Sequence, residues 1–453
     1  MSEFSGLDRR EFIKVGATLG AGLAAGACAP AIASTAGDRP RPSAAQSMMG
    51  VPFTRMAQPR IAIVGTGLRG RSVLHELLGV GNTRITALCD ALPEKVALAK
   101  AQLEKAGHPS NVATFVGERG FEALVQRDDI DLVYTATPWE WHVPVCVATM
   151  NAGKHVATEV PAAYTIEDCW TLVDTSERTR RHCIMMENCN YGYNELLVLN
   201  MVRAGLFGDV LHGGAAYNHD LRAILFETRD EGLWRRHHHT LRNANLYPTH
   251  GLGPVALYMD IHRGDRFDYM VSMSTPEAGL TKWRDDHQQT EMEKNGERYV
   301  TGDLSSSLIK TARGRTIRLE HDVSSPRPYS RINSVQGTKG VFEDYPARVY
   351  VDGMQPAHQW ASLDGFKAAH EHELWRTLGT QARTGGHGGM DFVMAWRLLH
   401  CMREGLAPDM DVYDAAAWSA PGPLSEASAK AGSAPMPFPD FTRGKWSEAR
   451  RSF

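Results

Sequence analysis

The chain has 453 residues, 43% of them apolar and 22% charged, so it is long enough for two or three domains of about 150 residues with a large buried core, and it is neither disordered, collagen-like nor a multi-span membrane chain. With 49 Lys and Arg against 52 Asp and Glu, the net charge of -3 offers no basic field to a phosphate backbone, which argues against nucleic acid as a partner. The 7 Cys are scattered with no CxxC, so neither a disulfide framework nor a zinc site is indicated, and no metal constellation stands out.

The twin arginine Arg9-Arg10 and Lys14 precede residues 15–33, an uncharged stretch of Ala, Gly and Leu ending in Ala31-Ile32-Ala33. This pattern predicts an export signal cleaved before Ser34, since the run is too short and Gly-rich for a transmembrane helix. The alternative is a degenerate lipoprotein box, Ala25-Gly26-Ala27-Cys28, with Cys28 as the lipid anchor. The leader resembles twin-arginine translocation signals, which implies transport of a folded protein with its cofactor on board, a periplasmic location, and membrane contact only through the leader. Residues 34–57, rich in Ser, Ala, Pro and Arg, are expected to be a linker.

Arg60-Ile61-Ala62-Ile63-Val64 is a β-branched run leading into Gly65-Thr66-Gly67-Leu68-Arg69-Gly70 and then a helical pattern. In that context Gly65 permits the tight turn, Gly67 lets the backbone approach a pyrophosphate, Gly70 lets helix and strand pack closely, and the helix N-terminus faces the anion. A second strand, 84–89, ends in Asp90, 20 residues after Gly70, where a carboxylate accepts hydrogen bonds from ribose hydroxyls and favours NAD over NADP. Alternating strands (111–116, 131–136, 154–160, 182–187) and helices (121–125, 143–151) continue the pattern of a doubly wound parallel sheet. The strand ends Thr137-Pro138-Trp139-Glu140-Trp141-His142 and Glu159-Val160-Pro161 should flank the cofactor.

After residue 186 the composition changes, and 209–217, 305–311 and 316–323 read as strands of a largely antiparallel open sheet mixed with helices. The fold class is therefore α/β, a Rossmann domain over 58–185 followed by an α+β domain over 186–415. Residues 416–453, rich in Pro, Ser and Ala, are expected to be an arm over the surface or over another subunit, the latter implying a homo-oligomer.

A dinucleotide domain, such a sheet and Glu159-Val160-Pro161 at their junction together resemble the Gfo/Idh/MocA sugar and inositol dehydrogenases. There the junction reads Glu-Lys-Pro and the lysine assists catalysis; Val160 stands in its place here. The segments Trp139-Glu140-Trp141-His142, Glu187-Asn188-Cys189, His219-Asp220-Leu221-Arg222, Asn245-Leu246-Tyr247-Pro248-Thr249-His250-Gly251-Leu252-Gly253-Pro254, Ser325-Pro326-Arg327-Pro328-Tyr329 and Gly388-Gly389-Met390-Asp391 are similar to glycoside hydrolase family 109, NAD-containing α-N-acetylgalactosaminidases. The resemblance implies NAD contacts at Leu68, Arg69, Asp90, Trp139, Glu140, Trp141, His142, Glu159, Val160 and Asn188. It implies sugar contacts at Tyr217, Arg235, Tyr247, Pro248, Thr249, His250 and Tyr329.

An exported protein has no expected pool of NAD to reoxidise its cofactor, so a net oxidation would stall and a redox-neutral cycle is favoured. Hydrolysis by transient oxidation is such a cycle, and NAD-dependent glycosidases are a known exception to the two-carboxylate scheme. Oxidation at C3 acidifies the C2 proton; its removal expels the anomeric oxygen, water adds, and C3 is reduced again. This needs acid/base groups near C2, C3 and the glycosidic oxygen. An imidazole, whose unperturbed titration range is about pH 6.5, suits that work, which makes His250 the first candidate. Tyr247 lies one helical turn earlier if the segment starts a helix. Tyr329 and Tyr217 are further candidates, with Glu159 as an orienting carboxylate. His237-His238-His239 cannot all face one ion on a regular element and is expected in a solvated loop beside Arg235 and Arg236. His387 lies in a Gly-rich segment that either lines the site or is a surface turn. The alternatives to a glycosidase are an exported sugar oxidoreductase with tightly bound NAD or NADP and a sugar-binding protein without catalysis.

Overall fold

The computed structural model describes residues 38–448 except 110 and 288–295, together with 450. The twin-arginine leader, the cleavage site before Ser34 and Cys28 lie outside the described residues.

Among the described residues six parallel strands form the first sheet: β1 (Arg60–Val64), β2 (Arg84–Asp90), β3 (Ala113–Val116), β4 (Leu132–Thr135), β5 (His155–Thr158) and β6 (Cys183–Met185). Their order is β3-β2-β1-β4-β5-β6, every pair parallel. Strands β1, β4, β5 and β6 are buried almost throughout, as apolar runs covered by helices on both faces must be. The order reverses between β1 and β4, so the crevice beyond their C-terminal ends is where such a sheet takes its ligand.

The second sheet has eight described strands, β7 (Val210–Asn218), β8 (Phe267–Ser274), β9 (Ser305–Thr311), β10 (Thr316–Asp322), β11 (Ser334–Gly337), β12 (Gly340–Glu343), β13 (Arg348–Val351) and β14 (Met436–Pro437), in the order β13-β12-β11-β7-β10-β9-β8-β14. All pairs are antiparallel except β7 with β10. The helix Thr249–Tyr258 lies on β7 at very close range: a Cβ on Gly251 would sit 2.3 Å from the Ala216 nitrogen. That approach brings His250 at the helix start alongside Tyr217 near the strand end.

Two expectations about the chain ends are corrected by packing. Residues 38–57 are no loose linker, because Met48 and Phe53 are buried in the main core and the Phe53 ring lies 4.4 Å from that of His182. Residues 412–430 are no surface arm. Helix Val412–Ser419 is buried along its whole length against helix Ile166–Thr179 and β6, and helix Pro421–Lys430 packs on β8. The Ala-rich composition that suggested an arm instead lets helices approach closely, and the Asp411–Asp414 capping box fixes where the first one starts. No described helix is long and apolar enough to cross a membrane. The six described cysteines are free and buried.

Candidate active site

The groove at the switch point has a volume of about 370 Å³. It runs from Asp90, Phe121 and Trp141, past the glycine turn and Leu68, to Trp139, Arg235 and Tyr247. The three glycines differ in what they permit. A Cβ on Gly65, whose φ is +84°, would lie 2.6 Å from the Ala136 carbonyl, and one on Gly70 would lie 1.8 Å from the Gly65 oxygen. A Cβ on Gly67 would meet nothing within 4 Å, so its bare face is open to a ligand at the start of helix Leu68–Val80, where unpaired amides and the dipole favour an anion. Asp90 ends β2 with one oxygen accepting the Thr66 amide at 2.6 Å and the other the Leu92 amide at 3.0 Å. Glycine cradle, carboxylate and apolar walls together fit a dinucleotide.

Several residues expected at the cofactor are tied to one another beneath the groove. Arg69 donates to Glu159 at 2.7 Å and to Asp391 at 2.6 Å. The Tyr134 hydroxyl donates to the same Glu159 oxygen at 2.7 Å, and Asn188 donates to Asp391 at 2.7 Å. Burial works against Asp391 ionising, but His387 at 2.8 Å and Arg69 outweigh it and hold the carboxyl below the ordinary range. Val160 is buried on the groove wall. Both ring nitrogens of buried His142 face carbonyls, Thr137 at 2.9 Å and Pro161 at 2.8 Å, so the ring sits between the two strand-end turns and donates to one of them when neutral. Burial lowers its basicity. Trp141 sets its ring edge-on to Phe121, and Glu140 lies 3.9 Å from His238.

At the other end the groove meets a cluster of aromatic rings. Tyr217 lies 4.7 Å from Tyr247, 5.5 Å from His250 and 6.2 Å from Tyr329, and Tyr247 lies 4.9 Å from His250, all between ring centroids. Trp139 stacks on Tyr247 at 5.7 Å. The Arg235 guanidinium sits over the rings of Tyr247, Trp139 and Tyr217 and is held by Glu231 at 2.6 Å. Burial pushes the Tyr247 hydroxyl well up, with Arg235 pulling the other way; Tyr217 is raised by the same balance and Tyr329 by burial. All three hydroxyls thus keep their protons at neutral pH. Pro248 and Thr249 are buried beside them, Thr249 opening the helix. The expected sugar contacts, from four separate stretches of chain, therefore converge on one place.

The carboxylate on His250 is Glu187, not Glu159. Glu187 follows β6, is fully buried, and accepts from His250 Nδ1 at 2.7 Å and from the Cys189 amide at 3.0 Å. Glu159 directly follows β5, where its oxygen is taken by Arg69 and Tyr134. Burial opposes ionisation of Glu187, but the imidazole, the Thr249 hydroxyl and the Cys189 amide outweigh it and its carboxyl lies below the ordinary range. An ionised carboxylate on Nδ1 fixes the tautomer and leaves the Nε2 lone pair to the pocket. Glu187, Cys189 and His250 also bring donor atoms within 4.8 Å of one another, but the hydrogen bond already uses two of them and burial drives the Cys189 thiol far up.

Sequence reasoning gave Glu187 and Asp391 no role, and it did not single out His219, whose Nδ1 is 3.1 Å from the Tyr217 hydroxyl, or buried Arg331, which donates to the Tyr329 hydroxyl at 3.3 Å. Only the order of strand ends could have flagged Glu187. The expectation of a solvated loop at His237-His238-His239 is also corrected. They lie in helix Arg235–Leu241 with His238 and His239 buried, the His238 ring lying against Trp139 and Tyr164. His387, at φ 50° beside two left-handed glycines, keeps 62% of its side chain exposed.

Comparison with known proteins agrees with this geometry. Residues 59–187 match the oxidoreductase family with an NAD-binding Rossmann fold, and residues 191–448 match the glycosyl hydrolase 109 C-terminal domain. A glycosyl hydrolase family 109 protein of Solibacter usitatus is 58% identical over 88% of this chain and 92% of its own. An alpha-N-acetylgalactosaminidase of Shewanella oneidensis is 45% identical over 98% of both. Levoglucosan dehydrogenase in complex with NADH and L-sorbose shares the fold at 17% identity, with a TM-score of 0.65 over 85% of this chain and all of that one. The groove is an NAD site, and the chain belongs to glycosyl hydrolase family 109, a glycoside hydrolase that acts on a small-molecule glycoside.

Proposed function

We propose that the chain is exported by the twin-arginine route to the periplasm and there removes terminal α-linked N-acetylgalactosamine, or a closely related sugar, by a redox-neutral cycle. The observation that carries the reading is His250, fixed by Glu187 and facing Tyr217 and Tyr247 where the dinucleotide groove ends. Leu68, Arg69, Asp90 and Trp139 to His142 hold or back NAD, which when bound supplies a reversible two-electron acceptor for C3 of the sugar. The remaining steps are proton transfers carried by this chain's own residues.

With C3 at the ketone level, Nε2 of His250 accepts the C2 proton and the C1–O bond breaks, its electron pair leaving with the aglycone oxygen. A tyrosine hydroxyl that burial keeps protonated, Tyr247 first and Tyr329 second, gives that oxygen its proton. Water then adds its oxygen to C1 and gives its proton back to the tyrosinate, while His250, its proton exchanged with solvent in the meantime, returns one to C2, so atoms and charge balance as a hydrolysis. Arg235, already spread over three rings, turns its remaining donors to sugar hydroxyls and offsets the negative charge that develops. Val160 is buried where the dehydrogenases have lysine, so the C3 hydroxyl has no lysine there to take its proton and must use another group of this cluster.

The test is to incubate the purified holoenzyme, without added NAD, with a nitrophenyl α-N-acetylgalactosaminide in heavy water and read the released sugar by mass spectrometry and NMR. Deuterium at C2 is the expected result. Release without deuterium overturns the elimination route, and no release from this or related glycosides, with sugar oxidised instead, turns the reading to an oxidoreductase.

A further inference from the structure

The segment between the helices Arg222–Leu225 and Arg235–Leu241 crosses the dinucleotide groove. It is a built piece of structure. Arg236, buried, donates to the Leu225 carbonyl at 2.7 Å and the Gly232 carbonyl at 3.0 Å and pairs with Glu297 at 2.7 Å. The segment folds so tightly that a Cβ on Gly232 would lie 2.1 Å from the Glu227 oxygen. From that root it reaches both walls of the groove. On the β2 side, Asp230 pairs with Lys95 at 2.5 Å; Lys95 stands in the first turn of helix Pro93–Lys105, just beyond Asp90. On the β4 side, the Trp234 ring lies 5.2 Å edge-on to Trp139, and His238 lies 3.9 Å from Glu140 at the start of helix Trp139–Asn151.

Strands β2 and β4 flank β1 on either side, so a segment anchored on both passes over the glycine turn that β1 feeds. Lys95, Asp230, Leu233 and Trp234 line the same groove as Gly65 and Gly67. A dinucleotide lying on that turn would pass beneath this segment, between the two anchors. The Lys95–Asp230 pair is the weaker anchor. Both side chains keep some exposure, 20% and 14%, and Asp230 holds a left-handed φ of 48° that disfavours most residues at that point.

We propose that residues 226–234 are a cofactor-retaining strap, with Lys95 and Asp230 its latch and Trp234 its hinge-side contact, so that NAD exchanges slowly and stays with the enzyme through many turnovers. The strap explains in physical terms how a redox-neutral enzyme works where no cofactor pool replaces what diffuses away. It rests on the NAD site and not on the hydrolytic chemistry.

The experiment measures exchange of isotope-labelled NAD into the as-purified holoenzyme by mass spectrometry, with no sugar present, so its result stands whether or not hydrolysis is found. Lys95→Met and Asp230→Asn should each speed exchange about fivefold, the upper range for one partly exposed ion pair, whereas Lys95→Arg, which keeps the charge, should exchange at the wild-type rate. Raising salt should speed exchange in wild type and leave the two neutral variants unchanged. Trp234→Ala, which frees the other wall, should speed exchange further while the melting temperature of the loaded protein reports that the fold is intact. Wild-type exchange in Lys95→Met and Asp230→Asn, or equal acceleration in Lys95→Arg, overturns the proposal.

Discussion

At the end of the groove that carries Asp90 the wall is backbone: a turn shaped by Gly65, Gly67 and Gly70 and steadied by Asp90. At the end that carries His250 the wall is side chains, and those come from β7, the helix Arg235–Leu241, the helix Thr249–Tyr258, the loop carrying Tyr329 and Glu187 beyond β6. The first end is shaped for a common feature, such as a pyrophosphate, by one contiguous stretch of chain. The second must place proton donors and acceptors against particular carbons, and no contiguous stretch can do that. The two ends should therefore fail differently when broken.

The largest effect is expected at His250. His250→Ala should lower turnover about 10³-fold, within the range for losing a general acid or base, while the purified protein keeps its NAD as read by absorbance after denaturation. Full activity would remove His250 from the chemistry, and loss of NAD would show that the two ends are not separable.

Next comes the carboxylate. Glu187→Gln keeps the shape, but its amide no longer fixes the imidazole by charge, and turnover should fall about 10²-fold with KM little changed, as for an orienting carboxylate behind a catalytic histidine. Glu159→Gln acts at Arg69 and should weaken NAD retention first. If the two variants behave alike, the distinction between the two carboxylates is wrong. This was the point least legible in the sequence. Gly65 to Gly70 and Asp90 announce themselves because one turn and one strand suffice to define them. His250 and Tyr247 were visible as chemistry but not as a pair with Glu187, since 63 residues separate His250 from Glu187 and only the close seat of Gly251 on Ala216 brings them together. Likewise the Ala-rich stretch at 412–430 looks like loose surface sequence until two sheets are present for it to pack between.

Within the turn itself the glycines can be set against each other. Gly70→Ala places a Cβ on the Gly65 carbonyl and should cost about 1–3 kcal/mol of stability as an overpacking strain, with NAD lost as a consequence. Gly67→Ala meets nothing in the protein, so its melting temperature without NAD should equal that of wild type, yet its NAD content should drop. A normal NAD content in Gly67→Ala would mean that the pyrophosphate does not approach that face.

The smallest effect is expected at the pair that closes the polar network on its outer side. The hydrogen bond to Asp391 raises His387 above its ordinary range, while Asp391 is held below its own. The signs oppose. The Asp391 contribution is present above about pH 4, the unfolded carboxyl range, and is lost as pH falls through its depressed folded value; the His387 contribution is present below about pH 6.5 and is lost as pH rises through its raised folded value. Both are present only between about pH 4 and pH 6.5. Because the imidazole is 62% exposed, solvent screens most of its gain, and His387→Ala should cost about 0.5 kcal/mol or less near pH 5 and nothing measurable above pH 8. Denaturant midpoints at the two pH values read this difference. A cost that persists at high pH would mean that the ring supports the Gly385 to Gly389 turn by packing, and a cost of several kcal/mol would mean that it is no surface partner but part of the buried network joining Asp391, Arg69 and Glu159 beneath the cofactor.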